Sequence, residues 1–200
     1  MRMTRSEELI ELARRAGVVR ARDLAASGIP RSYLRRLCDQ GLLIRTGRGI
    51  YVPAEGHFSE HHSLAEACKR VPHGVVCLSS ALRFHELTTQ DPWDVWLMIE
   101  SRARVPSVDH PPLRIFRSSG RSFTAGVEEH LIEGVPVRIY CLPKTIADCF
   151  KFRNKIGLDV ALEALRECLR SRRCSRDELH EFARINRVER VMQPYLEALS

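Results

Sequence analysis

The chain has 200 residues, 44% hydrophobic and 28% charged, enough for one domain or two small ones around a buried core. Its formal charge of +7 is unevenly placed: residues 1–52 hold eleven Arg, no Lys and five acids, a net +6, and the rest of the chain carries +1. No apolar run approaches the roughly 20 residues that span a bilayer, the charged amphipathic N-terminus is not a signal peptide, and seven cysteines without a Cys-x-x-Cys pair exclude a zinc knuckle or a dithiol motif. Reduced thiols in a cytoplasm are the expectation, with the cysteines acting as small core residues.

Thr4-Arg-Ser-Glu7 is a capping box that predicts a first helix, with Leu9, Ile10, Leu12 and Ala13 in helical spacing and Gly17 as its stop. Val18-Val19 predicts one short strand, and Arg22–Ser27 a short second helix ended by Gly28. After Pro30 a third helix is predicted from Arg31 to Gln40, stopping at Gly41. Leu42–Arg45 and Ile50–Val52 flank Thr46-Gly-Arg-Gly49, which reads as a hairpin. Helices, a tight turn, a further helix and a hairpin follow in the order of a winged helix-turn-helix. On the third helix Leu34, Leu37 and Cys38 share one face, while Arg31, Ser32, Arg35 and Arg36 lie on others, as a groove-facing recognition helix requires. Arg45 and Arg48 stand beside glycines that would let the hairpin backbone approach a phosphate, and the arginine fork suits guanine edges and phosphates.

Pro53–His57 reads as a linker. Beyond it come a helix over Ser63–Arg70, a buried strand at Val75–Cys77 and a helix from Ser79, the expected N-cap, to His85. Strands are predicted at Val95–Ile99, Leu113–Phe116, Val127–Ile132 and Val135–Cys141, with Pro136 at an edge or bulge. From Pro143 the pattern turns helical: Lys144–Phe152, Leu158–Leu169, Arg176–Ile185, opened by a second capping box at Ser175–Glu178, and Val188–Leu199. The fold class is α+β: a winged helix-turn-helix over 1–53, then a mixed α+β domain over 54–200 that ends in a helical segment.

Catalytic signals are absent from this pattern. There is no phosphate-binding glycine loop and no nucleophile elbow. None of the four lysines has an acid two residues before it, as a metal-dependent nuclease would. Asp91 and Asp94 flank Pro92-Trp93 in a turn, His57, His61 and His62 read as a solvated linker and helix start, and Ser79, Ser80, Arg83 and His85 make only a weak polar set. Trp93 and Trp96 read as rim and core packing. The basic runs Lys151–Lys155 and Arg170–Arg173 fit helix C-termini. The expectation is no enzyme, no catalytic residue, no metal and no cofactor.

The stretch Ala21-Arg-Asp-Leu-Ala-Ala-Ser-Gly-Ile-Pro-Arg-Ser-Tyr-Leu-Arg-Arg-Leu37, followed by Gly41-Leu-Leu-Ile-Arg-Thr-Gly-Arg-Gly-Ile-Tyr-Val-Pro53, resembles the winged helix of AbiEi-family antitoxins. Leu78–Thr88 and Val135–Phe150 resemble the same family's C-terminal domain, with Glu86 standing where a small residue such as Gly is expected. The resemblance implies a cytoplasmic autorepressor that binds double-stranded operator DNA at inverted repeats. It also implies an antitoxin that counters a nucleotidyltransferase toxin, with direct contact left open. Carried over, DNA contacts would come from Arg31, Ser32, Tyr33, Arg35 and Arg36 on the helix and from Arg45, Thr46 and Arg48 on the wing. The alternatives are a nuclease targeted by its winged helix, which would cleave DNA or RNA with Mg²⁺ or Mn²⁺, and a ligand-sensing regulator, which a metabolite would stabilise.

Overall fold

The capping box forms as expected: in the computed structural model, which describes residues 4–25, 27–54, 59–88, 92–108 and 110–199, the Thr4 hydroxyl accepts from the Glu7 amide at 3.3 Å and the Glu7 carboxylate accepts from the Thr4 amide at 2.7 Å. It opens α1 (Arg5–Ala16), which ends at Gly17 in a positive-φ conformation. β1 (Val19–Arg20) follows. The segment expected to be a second helix forms only a 3₁₀ turn, Asp23–Ala25, with Ala26 outside the described residues. Here the Asp23 carboxylate accepts from the Arg20 amide at 3.1 Å. That bond has the form of half a capping box, but the segment is too short to sustain a helix before Gly28 turns the chain at φ 63.

α2 (Ser32–Asp39) buries Leu34 and Leu37 against Leu9, Ala13, Leu24, Ile29 and Leu43, a small core of its own. β2 (Leu43–Gly47) and β3 (Ile50–Pro53) pair antiparallel in the register Ile44↔Val52 and Arg45↔Tyr51, with an irregularity between Arg45 and Gly47. β1 adds to the other side of β3, making a three-stranded sheet in the order β1-β3-β2. α3 (His62–Arg70) comes next. By compactness the first unit comprises Met1–Pro72 with Ser107–Pro111 and His130–Val137.

The second unit comprises His73–Pro106, Pro112–Glu129 and Arg138–Ser200. Its elements are β4 (Val75–Val76), α4 (Leu78–Phe84), β5 (Val95–Glu100), β6 (Leu113–Ser118), α5 (Arg121–Thr124), β7 (Val127–Ile132), whose last three residues fall in the first unit, and β8 (Val135–Tyr140), whose first three do. The five strands form a mixed sheet in the order β6-β5-β4-β8-β7, with β5 antiparallel to β4 and parallel to β6. β8 is an inner strand of that order, but Pro136 falls at a local edge of it. It is tolerated because β4 is two residues long and meets β8 only at Ile139, leaving Pro136 exposed beyond the ladder. The N-cap of α4 is Cys77 rather than Ser79, whose neighbour Ser80 uses its hydroxyl to accept from the Trp96 amide at 3.0 Å.

The helical segment comprises α6 (Leu142–Lys151), α7 (Arg153–Ile156), α8 (Leu158–Arg170), α9 (Arg176–Asn186) and α10 (Glu189–Ala198). The second capping box opens α9, with Ser175 and Glu178 exchanging bonds at 3.2 and 2.8 Å. α6 is buried from Leu142 to Phe150 and packs against α4, α8, α9 and α10. A helix surrounded on all sides reads as a nearly continuous apolar run. Within that buried stretch Lys144 and Asp148 are the residues with charged side chains. Cys168 and Cys174 are joined as a disulfide with Cα atoms 5.9 Å apart, where seven reduced thiols were expected. The loop from α8 to α9 turns back within six residues and brings the two side chains together. Sequence offers no cue to that approach.

Candidate nucleic-acid interface

α2 separates its residues cleanly. Leu34 and Leu37 are buried, while Arg31, Ser32, Arg35 and Arg36 are exposed. Positions 32, 35 and 36 are neighbours on a helical surface, and 31 lies one turn before 35. Tyr33 is half-buried and packs its ring against the core that holds Leu34, so only part of it faces outward. The first turn of α2 contains no acid, and Arg31 stands at the N-cap without a side-chain capping bond. Cations at a helix N-terminus oppose the macrodipole and weaken the helix. Stability does not account for Arg31 at this end; the backbone amides there and the three guanidinium groups add to one electropositive surface.

The β2–β3 hairpin presents Arg45 and Arg48, both exposed, with Arg45 Nε donating to the Gly47 carbonyl at 3.1 Å. Thr46 lies differently from its two neighbours. Its hydroxyl donates to Glu66 Oε1 at 2.7 Å, so it faces inward to α3. Glu66 is 1% exposed and also accepts from Arg70 Nη2 at 2.8 Å. Gly47 has an ordinary backbone, and a methyl group there would collide with the Arg70 guanidinium. Room for Arg70, rather than room for a phosphate, is what this glycine supplies. Gly49, at φ 73, supplies the left-handed turn residue that the short hairpin demands.

Glu66 and Arg70 were not legible as site residues. Their i,i+4 spacing on α3 was the available cue, and it says nothing of Thr46. A second missed set lies in the other unit. Lys144 Nζ, fully buried, donates to both Asp148 oxygens at 2.6 Å and stands 4.1 Å from the Tyr140 ring centroid. Asn186 donates to Asp148 at 2.8 Å, Ser122 donates to Asn186 at 2.6 Å, and Lys151 donates to Ser122 at 2.9 Å. Burial pushes the Asp148 carboxyl up, against the pull of the Lys144 ammonium, and burial lowers the Lys151 ammonium.

The remaining candidates resolve into packing. Asp94 accepts from the Trp96 indole at 2.7 Å, as a turn residue does; Asp91 lies outside the described residues. Trp96 is in the core and Trp93 is 91% exposed. His62 Nδ1 and Glu133 Oε2 are 2.7 Å apart, His61 lies 3.8 Å from Glu60, and His57 is outside the described residues. Burial raises the Glu133 carboxyl, but the His62 bond and the Ser59 amide outweigh it and hold it below the usual range. His85 Nε2 meets the Tyr140 carbonyl at 2.8 Å. Burial pushes the Cys77 and Cys149 thiols up, which leaves them protonated and unreactive. A groove of about 950 Å³ between α4 and α8 is lined by both signs of charge, among them Arg83, Glu86, Asp159 and Arg166. Among the described residues no three His, Cys, Asp or Glu groups are placed to share a metal ion, and no helix is long and apolar enough to cross a membrane.

No curated protein matches the chain. Among solved structures, the crystal structure of the RV2827C protein from Mycobacterium tuberculosis is similar in fold, with a TM-score of 0.62 at 16% identity over 91% of this chain and 72% of that one. The part of the chain that carries α1, the 3₁₀ turn, α2 and the hairpin is the part with a family match: residues 7–54 match the family described as "Transcriptional regulator, AbiEi antitoxin".

Proposed function

We propose that this protein is a DNA-binding transcriptional autorepressor and antitoxin, with the first 53 residues acting as a winged helix-turn-helix. In this reading α2 is the recognition helix and enters the major groove, and the β2–β3 hairpin is the wing that follows the adjacent backbone. Arg35 and Arg36 reach base edges or phosphates, Arg31 and Ser32 meet the backbone at the helix N-terminus, Tyr33 contributes its exposed edge, and Arg45 and Arg48 neutralise phosphates from the wing. Thr46 serves by holding the wing. The observation that carries the reading is the division of α2 into a buried leucine face and an exposed arginine face, within the segment that matches the regulator family.

Residues 54–200 are the antitoxin-type domain, and the functional partner is a nucleotidyltransferase toxin encoded beside it. The protein works in the cytoplasm by binding, without a catalytic step or cofactor. The operator is an inverted repeat in the DNA just upstream of the protein's own coding sequence. Mobility-shift titration of that DNA tests the repressor role: a discrete complex that survives excess random-sequence duplex supports it, and equal competition by random sequence contradicts it. Co-expression with the adjacent gene tests the antitoxin role, since growth must be restored by the full chain and not by a chain lacking residues 54–200.

A further inference from the structure

Four residues meet beneath the hairpin turn. The Glu66 carboxylate accepts from Thr46 and from Arg70, and His110 Nε2 stands 3.9 Å from its other oxygen. The Arg70 guanidinium, on a side chain 9% exposed, lies where a Gly47 side chain would be, and its buried Nε has no hydrogen-bond partner. An ion pair buried this deeply is a poor source of stability compared with an apolar contact of similar volume. It offers direction instead: a carboxylate accepts along defined lines, so Thr46 has one place to sit, and the guanidinium fills the space that would let Gly47 move inward.

We propose that Glu66 and Arg70 are positioning residues that hold the β2–β3 hairpin in the conformation that presents Arg45 and Arg48 to a nucleic-acid backbone. This rests on the DNA-binding reading of the hairpin given above. Arg70 spends its charge on Glu66 and does not itself face the ligand. Its effect is pre-organisation: a turn already fixed pays less ordering entropy when it binds. The device lies outside the segment that matches the regulator family, so the functional DNA-binding unit extends through α3.

The test uses the full chain in two measurements. Hydrogen exchange of the free protein reads the hairpin amides directly, and fluorescence anisotropy with a labelled duplex from upstream of the coding sequence reads binding. Arg70→Ala, and the milder Thr46→Val, which removes only the hydroxyl bond, are expected to speed exchange at Arg45–Gly49 and to weaken binding about tenfold. Gly47→Ala is expected to weaken binding in the wild-type background and to add no further loss in Arg70→Ala. Unchanged exchange at Arg45–Gly49 in both single variants, with intact wild-type binding, overturns the positioning role alone. Faster exchange with no binding by the wild-type protein overturns the DNA-binding reading on which the proposal rests.

Discussion

α2 and α6 deploy charge in opposite ways. On α2 the arginines stand in solvent while the leucines beneath them make the core, so the charges are separable from the fold. On α6 Lys144 and Asp148 are within the core, bonded to each other, with Asn186 donating to Asp148 as well, so the charges are part of the fold. A net charge counts both alike. Only burial distinguishes a charge that is free to meet a partner from one that already has its partner.

The largest effect expected from this contrast is in the second unit. Asp148→Ala leaves the Lys144 ammonium buried without its counter-charge and should cost about 3–5 kcal/mol. The double substitution Lys144→Met with Asp148→Leu should recover most of that loss. Both tryptophans lie in the second unit, and Trp96 is in its core, so urea unfolding followed by tryptophan fluorescence reads this stability directly. A loss under about 1 kcal/mol in Asp148→Ala would mean the pair is not the closed unit described here. Next in size, Arg35→Ala or Arg36→Ala should weaken operator binding by about 1–3 kcal/mol where the side chain reads a base. Gel-shift titration measures it, and unfolding followed by far-ultraviolet circular dichroism, which reads the helices of both units, should not move.

The smallest effect concerns Glu86, which holds a φ of 56. The slot that the family resemblance assigns to a small residue is a left-handed backbone position, and a glutamate there carries about 1–2 kcal/mol of strain. Glu86→Gly should therefore be neutral or stabilising by up to about 1 kcal/mol, because relief of strain is partly offset by a more flexible unfolded chain. Urea titration checks the sign; destabilisation beyond about 1 kcal/mol would show that the Glu86 side chain contributes more than its backbone costs.

Much of the fold was legible where one local signal decides an element. Both capping boxes formed, the helix around Leu34 and Leu37 ended within a residue of Gln40, and Val127–Ile132 formed a strand over the full predicted range. The stretch at Asp23 formed only a turn because six residues ahead of the left-handed Gly28 are too few to sustain a helix. The four-residue helices α5 and α7 are too short to show a periodicity. In the candidate site, exposure of Arg31, Arg35, Arg36, Arg45 and Arg48 followed from helix and hairpin patterns. The inward turn of Thr46 did not, because its partner Glu66 is twenty residues away. Periodicity says which face of an element is buried; it does not say what that face is buried against. The same limit hid the Cys168–Cys174 bridge and the Asn186 bond to Asp148.

The central claim is that the exposed arginines of α2 bind the DNA backbone and bases without serving the fold. A salt titration of the Arg35→Ala/Arg36→Ala protein beside the wild type, by fluorescence anisotropy on the upstream duplex, tests it most directly. Each phosphate contact contributes a slope of about −0.9 in log K against log salt. The account predicts that the double variant binds more weakly, with a slope shallower by about 1 for each arginine that meets a phosphate and a wild-type unfolding curve by circular dichroism. Wild-type affinity and slope in the double variant would contradict it.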